Sequence, residues 1–186
     1  MTMLRPGAGL LLLCLAVTGC GTLPPTAQTP QLPPNLYGLH EDDDAGAINF
    51  AAWAFASAAR LRGDPVNATR AVIAVEYLAG ELRENPRWVE MSPIAKQEMA
   101  EARTDLRHVL GIQPGVPPQE VVNVMLAVGW NLRFGHRAAA LRSLAAPGFT
   151  LPPEQTLQVL ANLPYIRSAN VAGLDAAQQM FPGIAR

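Results

Sequence analysis

The stretch DPVNATRAVIAVEYLAGELREN, residues 64–85, decides the fold. It opens with Asp64, a residue type that caps helices, and with Pro65 at the first helical position. From Ala71 to Ala79 the residues are apolar on nearly every side of a helix, and Glu76 is the exception. A helix that is apolar all round has to be covered on all sides. We therefore predict a central helix around which the rest of the chain packs.

Proline and glycine mark the other helices in the same way. Ser92 and Pro93 begin a helix that ends at Gly111, and its apolar residues form one stripe. The stripe consists of Ala95, Met99, Ala102, Leu106 and Val109. Further helices are predicted within 45–63 (stripe Ile48, Ala52, Phe55 and Ala59), 117–135, 136–146, 152–164 and 165–181, the last broken near Gly173. No segment alternates with period two, so the predicted fold class is all-α, an irregular bundle of about six or seven helices.

Two segments raise the alternative of a repeat array. PPQEVVNVML at Pro117 and PPEQTLQVLA at Pro152 match in outline, and their separation is close to a tetratricopeptide period. The prolines that begin the other helices are unevenly spaced, and the signature positions of that repeat are not filled. Two helices that share a Pro-Pro start explain the likeness better.

The N-terminus has the layout of a secretory signal. Arg5 precedes the apolar stretch LLLLCLAVTGC, residues 10–20, and small residues stand before Cys20. The apolar run is about half of the roughly 20 residues that a membrane-spanning helix needs. The last four residues, Val17 to Cys20, resemble the bacterial lipobox, so the chain resembles a bacterial lipoprotein over residues 1–20.

This resemblance implies a location and a chain organisation. Cys20 is then lipidated and becomes the first residue after cleavage, while Cys14 leaves with the signal peptide. Gly21 is not the aspartate associated with inner-membrane retention, so an outer-membrane anchor that faces the periplasm is expected over an inner-membrane one. The expected organisation is a cleaved signal (1–19), the lipidated cysteine with a Pro-rich tether (20–44), and one helical domain (45–186). An ordinary cleaved signal that happens to end near a cysteine is the alternative.

The tether is predicted from composition. Residues 21–35 are rich in proline and threonine, carry no charge, and lack the apolar content for a core, which is typical of a disordered spacer. Leu36, Tyr37 and Leu39 are expected to dock onto the body. The run His40 to Asp44 lacks the alternate spacing of a calcium loop, so it is interpreted as a helix start that Asp43 or Asp44 caps.

Charge and residue types exclude several classes of function. The formal charge is −1, and loss of the signal removes Arg5 and no acid, so no basic surface for nucleic acid is expected. The three histidines, His40, His108 and His136, are far apart, and no metal or cofactor is predicted. No serine lies in a Gly-x-Ser-x-Gly elbow. The sequence therefore predicts a protein that is not an enzyme.

Glu76 is the one acid that could contradict that prediction. A carboxylate inside an apolar run has a raised pKa if it is buried, which suits acid–base catalysis. Burial with an arginine partner, Arg103 or Arg107, is the more frequent arrangement and the one we expect.

Two segments are candidates for partner binding. In GWNLRFGHR, residues 129–137, aromatic and basic residues recur at helical spacing: Trp130, Arg133, Phe134, His136 and Arg137. In NPRWVEM, residues 85–91, a loop presents Arg87 and Trp88. The alternative for both is that the aromatic rings pack inward, and for Trp130 and Phe134 this is the arrangement that the sequence favours.

Three functions follow in order of preference. The first is a membrane-anchored scaffold or protein-interaction module of the cell envelope, which would show a compact body and an exposed aromatic–arginine surface. The second is a small-molecule or lipid carrier, which would need an internal apolar pocket. The third is a wall- or glycan-acting enzyme that uses Glu76, which would need a cleft with facing carboxylates. The partner's identity and the oligomeric state are not encoded in any motif.

Overall fold

The computed structural model describes residues 28–39 and 42–180. Within them the chain forms seven α-helices and no strand, apart from an isolated antiparallel bridge between Ile112 and Phe149. The helices are α1 (Asp43–Phe55), α2 (Pro65–Glu84), α3 (Pro93–Leu110), α4 (Pro118–Arg133), α5 (Arg137–Leu144), α6 (Pro153–Ala161) and α7 (Arg167–Met180). Two 3₁₀ turns, Ala58–Arg60 and Pro86–Trp88, flank α2. The predicted all-α fold is confirmed.

Helix α2 lies at the centre of the bundle. It contacts α1, α3, α4 and α6, and every residue from 71 to 82 is buried. The Asp64 carboxylate accepts a hydrogen bond of 3.0 Å from the Asn67 amide, which caps the helix as predicted. Because each large apolar side chain contributes about 1.5–3 kcal/mol when it is fully buried, this helix contributes a large share of the core.

The other helices form two groups around α2. Helices α1, α2, α3 and α7 contact one another in a closed ring, α1 to α2 to α3 to α7 and back to α1. On another side of α2, α4 packs against it, α5 packs against α4, and α6 contacts α5, α2 and α3. Helices α4 and α6 both begin at the second proline of a Pro-Pro pair, but they have 16 and 9 residues, so they are not copies of one repeating unit.

Polar contacts set the antiparallel register of α3 and α7. Ser168 Oγ donates to Asp105 Oδ2 at 2.6 Å near one end of the seam. The Ser92 amide donates to Gln179 Oε1 at 2.8 Å near the other. Between them, desolvation and the neighbouring Asp175 carboxyl raise the pKa of Glu98. Two acidic side chains therefore lie side by side in the middle of the seam.

The expected break in the last helix does not occur. Helix α7 is continuous through Gly173, which is buried where α7 crosses α1. A Cβ at this position would lie 3.0 Å from the Ala52 amide nitrogen. The glycine therefore serves close helix packing and does not end the helix.

Helix α1 is shorter than predicted. It ends at Phe55 instead of continuing to Gly63, and Ser57 is extended. Phe55 and Leu61 are both buried, yet in a continuous helix six residues would place them roughly 120° apart around the axis. The chain has to leave the helix for both to reach the core, and Ala59 of the predicted stripe is consequently exposed.

The start of α1 lies one residue before the predicted caps. Asp42 is the N-cap, and its Oδ1 accepts from the amides of Asp44 and Ala45 at 3.1 Å. The acids do lie at the positive end of the helix, as expected. His40 and Glu41 lie outside the described residues.

The C-terminal part of the predicted tether is packed against the body. Pro30 is buried, and Thr29 Oγ1 donates to Glu84 Oε2 at 2.9 Å. The backbone N–H of Gln31 donates to Gln119 Oε1 at 2.7 Å. The predicted boundary between a tether (20–44) and a domain (45–186) is therefore wrong, because the body includes residues 28–39.

The docking residues of this segment are confirmed in part. Tyr37 Oη donates to the Arg70 carbonyl at 2.9 Å, and Arg70 Nη2 donates to the Leu36 carbonyl at 2.7 Å. The Tyr37 ring packs on Phe50 of α1, with 5.3 Å between centroids. Leu39 is exposed, so its side chain does not pack onto the body as predicted. Residues 1–27, which include the predicted signal and Cys20, lie outside the described residues.

Candidate functional site

Two aromatic side chains project from the end of α4. Trp130 and Phe134 are four residues apart, so they lie on the same face, with ring centroids 4.7 Å apart. Trp130 is 65% exposed and Phe134 is 53% exposed. Gly135, at φ 75°, ends the turn and leads into α5. We call the surface formed by residues 130, 133, 134, 136 and 137 the α4–α5 corner.

The exposure of these rings contradicts the inward packing that the sequence favoured. The buried side of α4 is formed by Val121, Val122, Met125, Val128 and Gly129. At Gly129 the helix lies so close to α2 that a Cβ would be 2.5 Å from Thr69 Oγ1. A tryptophan has no room on this side, so Trp130 points away from α2.

Three basic residues, 133, 136 and 137, flank the two rings in the sequence and are exposed with them. Arg133 and His136 are exposed. Arg137 forms a bidentate ion pair with Glu154 at the start of α6. Its Nη1 donates to Oε1 at 2.7 Å, and its Nη2 donates to Oε2. Hydrogen bonding across this pair raises the pKa of Arg137 and lowers the pKa of Glu154. The structure thus places all five predicted residues of this segment on one exposed corner.

The second predicted binding segment is not a surface of this kind. Trp88 is only 7% exposed, and its Nε1 donates to Asp44 Oδ2 at 3.2 Å. Arg87 stacks 4.8 Å from the Trp88 ring, and its Nη1 donates to Asp42 at 2.7 Å and to Asp44 at 3.0 Å. Trp88 therefore belongs to the core, and Arg87 covers it while binding two carboxylates. The predicted exposure of Trp88 is wrong.

Sequence reasoning missed Asp44, the centre of that arrangement. Its buried carboxylate accepts from Trp88, Arg87 and Tyr77, whose Oη lies 2.5 Å from Oδ1. Desolvation and the Asp44 carboxylate raise the pKa of Tyr77, while the bond from Arg87 lowers the pKa of Asp42. These contacts join the start of α1 to α2 and to the turn after it. Asp44 stands in a run of acids, so the sequence carries no signal that it differs from its neighbours.

Glu76 is buried and paired, as the sequence favoured. Arg107 donates from Nε to Oε1 and from Nη2 to Oε2, both at 2.7 Å. Its Nη1 donates to the carbonyls of Pro114 and Val116 at 3.0 and 2.8 Å. Burial raises the pKa of Glu76 even though the arginine opposes that shift. Both carboxylate oxygens are engaged, so the surroundings of Glu76 give no support to a catalytic role.

A cleft of about 420 Å³ lies beside this pair. Its sides come from the second half of α3 and from the loop that joins α3 to α4. Arg103, Thr104, Arg107 and His108 line the helical side, and Gln28 of the docked segment also borders it. The sequence predicted Arg103 as a possible partner for Glu76 and on the solvent-facing side of its helix. The position of the loop that completes the cleft is carried by no motif.

Residues 28–39 and 42–180 contain no cluster of three or more metal-ligating side chains. None of the described helices has the length and apolar character to cross a bilayer. Cys20, the predicted lipidation site, lies outside the described residues. Comparison with family models, with curated proteins and with solved structures found no match.

Proposed function

We propose that this chain is a lipid-anchored protein of the cell envelope whose helical body is a protein-interaction module. The observation that carries the proposal is the side-by-side exposure of Trp130 and Phe134 on a helix that is fixed against the core. Large exposed rings beside arginine are typical of residues that dominate binding energy at protein interfaces. The α4–α5 corner is the proposed contact surface.

The chemistry of the corner favours a partner with acidic groups around an apolar patch. Trp130 and Phe134 supply the apolar area, and Arg133 and His136 supply donors beside it. Arg137 is engaged by Glu154, so it contributes less to a partner than Arg133 does. Because the exposed cations lie at the rim, they act mainly on the association rate and on the choice of partner.

The proposed anchor rests on the lipobox resemblance at Val17 to Cys20. Two or three acyl chains hold a protein on a membrane durably, since each buried methylene contributes about 0.8 kcal/mol. Gly21 favours the outer membrane, and the body would face the periplasm. The anchor would keep the α4–α5 corner near other envelope proteins and raise its effective concentration.

The corner is tested by a double substitution, Trp130→Ala with Phe134→Ala. We expect the yield of the main partner after cross-linking in membranes to fall about tenfold, because hot-spot residues contribute 2 kcal/mol or more. The matched control is Val89→Ala with Ile94→Ala, two exposed apolar residues outside the corner. Unchanged melting temperatures would show that both variants fold. Equal partner yields from both variants would refute the proposed surface.

The anchor is tested by Cys20→Ser. We expect this variant to be lost from the outer-membrane fraction and to keep its signal peptide, because the lipid acceptor is lost. Fractionation with immunoblotting measures the first effect, and mass spectrometry of the N-terminus measures the second. A serine variant that remained membrane-bound and normally processed would show that Cys20 is not the attachment point. The conservative control is Cys14→Ser, which changes a cysteine in the part predicted to be removed.

A further inference from the structure

The cleft beside α3 has two chemically different walls. The helical wall carries the polar and cationic side chains of Arg103, Thr104, Arg107 and His108. The loop wall is apolar and consists of Ile112, Pro114, Val116, Pro117 and Pro118. Its volume of about 420 Å³ lies within the range of small-molecule sites. This half-polar cleft differs from the enclosed apolar pocket expected of a lipid carrier.

Arg103 has donor capacity that the protein does not use. Its Nη2 donates to Gln28 Oε1 at 3.2 Å. Its Nη1 is shielded from solvent and has no hydrogen-bond partner in the described part of the chain. A shielded guanidinium donor without an acceptor is unfavourable, so an added acceptor at this point would be stabilising. Arg107 differs, because all three of its nitrogens already donate.

The charges around the cleft favour an anion. Arg103 and Arg107 face one buried carboxylate, Glu76, and both of its oxygens already accept from Arg107. Glu84 is also near Arg103, but its carboxylate accepts from the backbone amides of Gln28 and Thr29. His108 adds a further nitrogen donor to the lining. Arg83 is a third cation near Arg103, so three arginines face two carboxylates and positive charge is in excess by one at the helical wall.

The apolar wall is held in place without a ligand. Arg107 Nη1 binds the carbonyls of Pro114 and Val116, which fixes the loop against α3. The other side of Val116 packs on Gly148, where a Cβ would lie 2.2 Å from Val116 Cγ2. The backbone N–H of Gln113 also donates to the Gly148 carbonyl at 2.8 Å. A wall fixed in this way requires little ordering when a ligand binds.

We propose that this cleft binds a small organic acid, a phosphate monoester or a carboxylate that carries an apolar group. The acidic head accepts hydrogen bonds from Arg103, and the apolar group lies on the loop wall between Ile112 and Pro118. The cleft shares no residue with the α4–α5 corner. Binding of an organic acid there is therefore a second function, independent of the proposed protein contact.

The experiment titrates the whole chain, purified in a nonionic detergent, with phenyl phosphate and with benzoate by calorimetry. Inorganic phosphate and benzamide are the probes that contain only the head or only the apolar group. We expect at least one of the two acids to bind more tightly than either partial probe. Arg103→Gln should weaken that binding about tenfold, since it removes a charge-assisted hydrogen bond. Arg103→Lys should retain part of it.

A matched control separates the cleft from general charge effects. Arg142→Gln removes one positive charge from an exposed residue that does not line the cleft. Thr104→Glu keeps Arg103 and adds a negative charge to an exposed position of the lining, so it should abolish binding without unfolding α3. Equal weakening by Arg103→Gln and Arg142→Gln would overturn the proposal. So would inorganic phosphate that binds as tightly as phenyl phosphate, or no binding of either acid at millimolar concentration.

Discussion

At the scale of single residues, the Glu76–Arg107 pair shows how one buried charge organises its surroundings. The carboxylate comes from the middle of α2 and the guanidinium from the last turns of α3. The same guanidinium holds the loop after α3 through two carbonyls. An ion pair in a core gains little over apolar packing, but removal of one partner leaves an unpaired charge. The pair therefore specifies how α2, α3 and the loop fit together.

We predict that Glu76→Gln lowers the free energy of unfolding by about 3 kcal/mol, because it leaves Arg107 charged and buried without a counterion. Denaturant unfolding followed by circular dichroism measures this loss. The control Glu120→Gln changes an exposed glutamate and should stay within about 0.5 kcal/mol of the wild type. A loss no larger in Glu76→Gln than in the control would show that the pair does not support the core.

Residues differ in how well their surroundings can be predicted. Glu76 interrupts an apolar run, and that contrast predicted its burial and an arginine partner, although two arginines one helical turn apart left the choice open. Trp88 offers no such contrast, because a tryptophan in a short loop suits a surface or a core equally. Its burial depends on Asp44, which lies 44 positions away in the sequence. Pairings over that distance are set by the packing of helices and not by local pattern.

At the scale of helices, the seam between α3 and α7 is fixed by hydrogen bonds at its two ends and carries two neighbouring acidic side chains in its middle. Ser168 and Gln179 of α7 fix its two ends through contacts with α3. Between these contacts Glu98 lies beside Asp175, and desolvation and the second carboxyl raise the pKa of Glu98. A carboxyl whose pKa is raised on folding stabilises the fold when it is protonated. This contribution is complete below the unfolded pKa of about 4.3 and is lost as pH rises through the folded value.

We predict that Glu98→Gln stabilises the protein at pH 7 by about 0.5 kcal/mol, because it removes the repulsion between two carboxylates. The difference from the wild type should vanish near pH 4, where Glu98 is protonated. Urea unfolding at a series of pH values measures both effects. Glu90→Gln, at an exposed loop position, is the control and should show no such pH-dependent gain. A constant difference between Glu98→Gln and wild type across the pH series would contradict the prediction.

The starts of helices were more predictable than some of their ends. Asp64, Pro65, Ser92 and Pro93 act locally, and their roles at the starts of α2 and α3 are confirmed, as is Gly111 at the end of α3. The end of α1 depends on the need to bury both Phe55 and Leu61. The continuity of α7 depends on the crossing with α1 at Gly173. Both are consequences of tertiary packing, which overrides a local glycine signal.

At the scale of the whole molecule, the body begins earlier than composition suggests. The segment 28–39 contains three prolines and no charge, which are features of a spacer, yet it lies on α2 and α4. Composition predicts whether a segment can form a core of its own. It does not predict that the segment packs against a core formed by other helices, as residues 28–39 do. Any spacer between the proposed anchor at Cys20 and the body is therefore short, at most about 29 Å of fully extended chain to Gln28.

The docked segment depends on a glycine in the central helix. At Gly80 a Cβ would lie 2.2 Å from the Gln28 carbonyl oxygen, which is too close for any side chain. Gly80→Ala raises helix propensity by about 1 kcal/mol but forces the segment away from α2. We predict at least about tenfold faster hydrogen exchange at the amides of Thr29 and Gln31, whose acceptors are Glu84 and Gln119.

The control for this prediction is Gly115→Ala, since a Cβ at Gly115 meets no atom within 4 Å. It should leave exchange at Thr29 and Gln31 unchanged. Protected amides in both variants would mean that the segment can shift along α2 without release, and that Gly80 does not decide the docking. Faster exchange throughout Gly80→Ala would instead indicate loss of the core. The prediction requires the change to be confined to residues 28–39, because α2 itself gains a better helix former.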